Sequence, residues 1–119
     1  MATLLFALPI KSGQTEAARA FAQECLGPRY ADYDASERRI GIQVENWYLQ
    51  RLAADQFFTI QVEGLDLIVS LSAFISSRDP FDLWFKEQLA GITGIDLNAG
   101  PPPNEVVAET LAEYKAKGA

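Results

Sequence analysis

Histidine, the residue type most used for chemistry near neutral pH, does not occur in this 119-residue chain. It is the usual general base, the commonest metal ligand and the ordinary partner of a nucleophilic Ser or Cys. Its absence excludes proximal-His haem binding, His-containing zinc sites and Ser-His or Cys-His catalysis. Among the residues that remain, Arg39, Asn46, Trp47 and Tyr48 are the candidates for ligand binding. Arg38 and Arg39 end a helical segment, where the helix dipole favours a cation by ~0.3–1 kcal/mol. One guanidinium could instead reach a pocket mouth and pair with an anionic group of a ligand. Asn46 and Tyr48 lie on one face of a strand-like run and Trp47 on the other. The plain reading of Trp47 is core or interface packing.

The other candidates read more simply as structure. Asp79-Pro80-Phe81-Asp82 looks like a helix start, with Asp79 as N-cap, Pro80 at the first helical position and Asp82 favoured by the dipole. The same cluster could shape a pocket rim. Trp84 and Phe85 read as core, and Asp96 as a turn or cap. Cys25 is the sole cysteine, so no disulfide can form within the chain. It lies beside Phe21, Ala22 and Leu26 and has Glu24 rather than a cation next to it, so a buried, inert thiol is expected. Gly91, Gly94 and Gly100 lack the lysine and the strand-turn-helix setting of a phosphate loop. Nor do the Asp and Glu residues show calcium-loop spacing. No metal and no cofactor are expected.

Hydrophobic patterning supplies the elements that must position these residues. Thr3 to Ile10 is a short apolar run closed by Pro9, which suits a strand. Ala17, Ala18, Phe21, Ala22 and Cys25 predict an amphipathic helix over about 14–26, ended by Gly27-Pro28. Tyr30 to Ile40 reads as a second, more polar helix ending near Gly41. From Gln43 to Leu52 the chain alternates, with Val44, Asn46, Tyr48 and Gln50 opposite Trp47 and Leu49. After Ala53-Ala54-Asp55 a second run alternates from Gln56 to Glu63, with Phe58, Ile60 and Val62 opposite Phe57, Thr59 and Gln61. The pair reads as an antiparallel hairpin. Leu67, Ile68, Leu71, Phe74 and Ile75 form a helical stripe over about 65–76. The helix opened by Pro80 ends near Gly91. Pro101-Pro102-Pro103 reads as an extended linker. Asn104 to Lys115 suits either a helix or a closing strand, and 103–119 could supply an edge strand plus a C-terminal tail.

Length gives one domain over residues 1–119. The apolar fraction of 49% is enough for a core without metals or disulfides. A net charge of -6 opposes nucleic-acid binding and attachment to anionic membranes. Leu4 to Leu8 lacks the basic region of a signal peptide, and no apolar run approaches the ~20 residues of a transmembrane helix. A cytoplasmic protein is the expectation.

Strand, helix, strand, strand, helix and a last strand make the βαββαβ order of a ferredoxin-like α+β sandwich with extra helices. Four antiparallel strands then have helices on one face only. Something must cover the other face, and a second copy of the sheet is the simplest cover, giving a homodimer. In this pattern the chain resembles the dimeric α+β-barrel superfamily. The resemblance is carried by Arg38-Arg39-Ile40-Gly41-Ile42 leading into Trp47-Tyr48-Leu49-Gln50, by Asp79-Pro80-Phe81-Asp82-Leu83-Trp84-Phe85, and by Gly94-Ile95-Asp96-Leu97. It spans roughly residues 3–110. It is similar to small bacterial members related to antibiotic-biosynthesis-type monooxygenases, ethyl tert-butyl ether degradation-like proteins and NIPSNAP-like proteins. Where relatives carry His before the Gly-Ile/Val-Asp-Leu run, this chain has Thr93.

The resemblance implies a homodimer holding a small, mostly apolar ligand between sheet and helices, with cofactor-independent oxygenase chemistry as the enzymatic form. Arg39, Asn46, Trp47 and Tyr48 are its implied ligand contacts. The alternative is a non-catalytic dimeric module with no cavity. An enclosed cavity of about 300 Å³ or more, with converging polar groups, would separate the two.

Overall fold

Alternation in the sequence becomes a three-stranded antiparallel sheet. The computed structural model describes residues 1–99 and 109–118. The elements are β1 (Ala2–Pro9), α1 (Thr15–Leu26), α2 (Tyr30–Ile40), β2 (Ile42–Leu52), β3 (Asp55–Gly64), α3 (Leu67–Ser76), α4 (Pro80–Thr93) and a 3₁₀ turn, Leu97–Ala99. The strand order is β1-β3-β2. Leu4 pairs with Val62, Phe6 with Ile60 and Leu8 with Phe58, while Trp47 lies opposite Ile60 on the other side of β3. These side chains face the helices. Thr3, Leu5, Asn46, Tyr48 and Gln61 therefore face away from the helices; Thr59 shares that face but is buried, its hydroxyl donating to Gln50.

A register shift between Ile42 and Val44 interrupts the β2–β3 ladder. Strict alternation would put Ile42 and Glu45 on opposite faces. The extra residue of the bulge, Gln43, lets both point toward the helices. Just upstream, α2 ends on Gly41, whose φ of 86° needs the left-handed region open to glycine. Gly64 lies against it: a Cβ there would meet the Gly41 carbonyl at 2.8 Å.

Capping residues place the two helices over the sheet. Asp66 starts α3, its side chain accepting from the Val69 N–H. The Asp79-Pro80 start of α4 holds, with the Asp79 carboxylate accepting from the Phe81 N–H at 3.1 Å. α4 does not end near Gly91. It continues to Thr93 and stops at Gly94, with φ 82°. One glycine inside a helix costs roughly 1 kcal/mol, and burial of Ile92 beyond it outweighs that. Lys86 is buried on α4, and its ammonium donates to the carbonyls of Phe74, Ile75 and Ser77 at the end of α3. That is where a helix dipole attracts a cation.

Between sheet and helices lies an aromatic core. Phe21 stacks on Trp47 at 5.1 Å and meets Phe85 edge-on at 4.8 Å, and Tyr33, Phe58 and Phe81 pack around them. Cys25 is buried there. Burial, with Glu45 and Glu24 nearby, pushes its thiol up to about 12, so it stays protonated.

The expected fourth strand is not formed among the described residues. Residues 104–108 of that segment lie outside them. Residues 109–115 are neither strand nor helix. Leu111 and Tyr114 are 89% and 90% exposed. No described helix is long and apolar enough to cross a membrane.

Candidate functional site

Packing α3 and α4 over the sheet leaves an interior cavity of about 90 Å³. Its wall is almost wholly apolar, with Phe6, Leu8, Ile60, Val62, Phe85 and Leu89 among its members. Two polar side chains interrupt it, Glu45 and Ser70. Beside it, between α2, the start of β2 and α3, lies an open groove of about 900 Å³. The two spaces share Ile40, Ile42, Glu45 and Ser70 as lining residues. The enclosed part is thus smaller than a whole drug-sized pocket, and its polar groups stand where it adjoins the groove.

Glu45 is held from two sides. Tyr33 donates its hydroxyl to Oε2 at 2.5 Å, and Trp47 Nε1 donates to the same oxygen at 3.0 Å. Among the described residues nothing donates to Oε1. Burial raises the Glu45 carboxyl above its ordinary range, against the pull of the two hydrogen bonds, which favour the ionised form. Tyr33 is itself pushed well up by burial and by Glu45, so its hydroxyl remains a donor. Glu37, one turn along α2 from Tyr33, is pushed up to about 9 by burial first, then by Glu45, Asp82 and Asp34. A carboxyl that holds its proton more tightly than usual, beside an apolar wall, is suited to take and return protons.

The helix that carries Tyr33 and Glu37 is anchored from below. Asp82 has 0% of its surface exposed and accepts from Ser36 of α2, from Ser77 before α4 and from Arg39. Burial opposes its charge, but these three donors outweigh it and hold its carboxyl below the usual range. Asp82 is therefore the acceptor at the centre of a network joining α2 to α4, a larger role than favourable charge at a helix start.

The four residues expected from sequence do not converge. Arg39 pairs with Asp82 at 2.9 Å and Asp79 at 3.5 Å, so its guanidinium is already committed to carboxylates of the protein. Trp47 faces inward, in the aromatic core and on Glu45. Asn46 and Tyr48 lie on the opposite sheet face. Trp47 and Tyr48 also border a shallow hollow of about 100 Å³ beside α1. Thr93, at the place of the relatives' histidine, is buried. Its hydroxyl donates to the Leu89 carbonyl and accepts from the Ile95 N–H. Asp96 makes a turn, accepting from the Asn98 N–H. No group of three or more metal-ligating side chains occurs among the described residues.

Glu45, Glu37, Tyr33 and Ser70 were not singled out by sequence. A signal for Glu45 existed: it shares the phase of Trp47 and Leu49, which makes it a carboxylate on the apolar face of a strand.

No protein-family model matches the chain, and no curated protein matches it in sequence. Among solved structures it is similar to tetracenomycin F2 cyclase from Streptomyces glaucescens, a type-II polyketide cyclase. The two are 15% identical, with a TM-score of 0.59 over 98% of this chain and 99% of that one. The fold is shared. It is the α+β fold expected from sequence, an antiparallel sheet with helices over one face.

Proposed function

We propose that this chain binds a small, mostly apolar molecule between its sheet and helices and moves a proton on it through Glu45. One observation carries the reading. The apolar cavity adjoins the groove at a carboxyl group that two donors hold by a single oxygen, leaving Oε1 to the ligand. A fitting ligand presents a carbonyl or phenolic oxygen, or the C–H beside it, to Glu45 and Ser70. Its apolar part lies against Phe6, Ile60 and Phe85. Apolar burial gives the affinity, at ~25 cal/mol per Å².

The shared fold of a polyketide cyclase supports this reading, because ring closure between carbons needs a proton removed beside a carbonyl and one returned to oxygen. The same first step, deprotonation, serves the cofactor-independent oxygenases that the sequence resembles. Uptake of O₂ distinguishes the two. A non-catalytic dimeric module is the second reading, favoured by the small size of the enclosed chamber.

A homodimer belongs to the proposal. The uncovered sheet face presents Leu5, Val44, Tyr48 and Leu52, all exposed, in positions a second sheet would cover. Asn46 and Tyr48 would then face the partner, and their ligand role would be exercised from that side.

The test is exchange of the α-protons of 2-tetralone into D₂O, followed by NMR. The full chain is expected to accelerate exchange, and Glu45→Gln to lower the rate by about 10²-fold or more, the usual share of a general base. Equal exchange with and without protein would overturn the catalytic reading. If 2-tetralone also left the melting temperature unchanged, the ligand reading would go with it.

A further inference from the structure

Glu45 lies where the cavity meets the groove, and a second carboxyl shares its surroundings. A small void of about 40 Å³ is lined by Tyr33, Ser36, Glu37, Ile40, Glu45, Phe74, Phe81 and Phe85. Glu37 borders this void and the outer groove but not the inner cavity. Glu45 borders all three spaces. The void is large enough for water, which needs about 10–15 Å³ and two to four polar partners. Glu37, Glu45 and the Tyr33 hydroxyl offer such partners. From groove to Glu37, through the void to Glu45 and on to the cavity, polar groups follow one another through otherwise apolar walls.

We propose that Glu37 is a positioning and relay residue for Glu45: the two carboxyl groups share a proton across the void and pass it between the buried cavity and the groove. This rests on the reading of Glu45 given above and deepens it. When Glu45 takes a proton from a ligand, its Oε1–H bond forms as the ligand's C–H or O–H bond breaks. Glu37, which holds the shared proton while Glu45 is ionised, then loses it to water in the groove, and the proton on Glu45 crosses the void to take its place, leaving Glu45 ionised again. One proton enters and one leaves, and nothing is oxidised or reduced.

The charged and titratable surroundings fit a pair that shares a proton instead of two independent carboxylates. Asp34 and Arg38 flank Glu37 on its own helix and form an ion pair with each other. Asp82 acts on Glu37 from α4, and Cys25 of α1 feels Glu45 and Glu37. Asp66 stands across the groove on the α3 side. Arg39, the cation next along α2, is bound to Asp82 and Asp79. Close carboxyls without a cation between them cannot both ionise readily, and their titrations belong to the pair.

Titration of the glutamate side-chain carboxyl carbons by ¹³C NMR on the full chain tests the pairing. In the parent, Glu37 and Glu45 should titrate in two linked steps. Glu37→Gln should leave Glu45 titrating in a single step in place of two linked ones. Glu45→Gln should bring Glu37 down from about 9 toward the ordinary carboxylate range. Reciprocal replacement guards against one variant failing to fold. Midpoints in each variant that match the parent would overturn the proposal. In the tetralone exchange, Glu37→Gln should lower kcat and shift its pH profile while KM stays the same. An unaltered profile would overturn the relay. Parent protein without exchange activity would remove the acid–base reading of Glu45, and the titration would still decide whether the two carboxyls share a proton.

Discussion

Replacing Asp82 by Ala should be the most damaging single polar substitution in this chain. Its carboxylate is fully buried and accepts from the Ser36 and Ser77 hydroxyls and from Arg39. Ser36 is itself buried, so its hydroxyl would lose its partner away from water. Each such orphaned group costs about 1–3 kcal/mol. Arg39 is 42% exposed and has Asp79 at 3.5 Å as a second partner, so its share is under about 1 kcal/mol. With a fraction more for the half-buried Ser77 hydroxyl, the total comes to roughly 2–4 kcal/mol. Against a typical stability of about 5–15 kcal/mol, that lowers the melting temperature by roughly 10–20 °C. Circular dichroism melts at pH 7 would read it, with Arg39→Met as the control that should lose far less. The pH dependence has a fixed sign. A carboxyl lowered in the folded state stabilises fully above its unfolded value of about 3.9 and loses that effect as pH falls through its folded value. The gap between parent and variant should therefore narrow below about pH 4. An Asp82→Ala protein that melts within a few degrees of the parent, or no lower than Arg39→Met, would refute the network argument.

Two further outcomes are expected. Ile60→Asp or Val62→Asp should unfold the chain, since each puts an unpaired charge under the helices; circular dichroism showing both variants folded would mean the strand facing is misassigned. Light scattering at micromolar concentration should give a mass near twice 13.1 kDa, and Tyr48→Lys or Leu5→Lys should shift it toward one copy. A parent that scatters as a monomer would remove the proposed second sheet.

The elements were legible because local rules and tertiary packing agree over most of this chain. Phe58, Ile60 and Val62 alternate with Phe57, Thr59 and Gln61, and the first set is the one that faces the helices; Thr59 is buried as well, its hydroxyl donating to Gln50 on the opposite face. Asp79-Pro80 names a helix start and makes one. Disagreement came where a long-range contact outweighed a local signal. Gly91 reads as a stop, yet burial of Ile92 and Thr93 carries α4 past it, and the helix ends only at the left-handed Gly94. A closing strand was one of two readings of Asn104 to Lys115; 104–108 lie outside the described residues, and 109–115 form no ladder with this sheet.

The candidate site was less legible. The residues that stand out by type, Arg39 and the Asn46-Trp47-Tyr48 run, fall on two sheet faces and in an ion-pair network. The groups that do meet are ordinary by type, and separate elements bring them together. Tyr33 and Glu37 share one side of α2, whose position is fixed by Ser36 and Arg39 on Asp82. Glu45 reaches the same space because the bulge at Gln43 turns it inward along with Ile42. No spacing rule within one segment foretells that meeting.

Energetics argue that the meeting serves chemistry more than stability. A leucine at position 45 would fill apolar space without a desolvation penalty. A glutamate there needs the Tyr33 hydroxyl and the Trp47 N–H to offset its burial, and even so its ionised form stays disfavoured. Places where a fold departs from its own pattern in this way are where function is expected. Here the departure has a definite form. Tyr33 and Trp47 both donate to one oxygen of Glu45, and Glu37 borders the same void and the same groove.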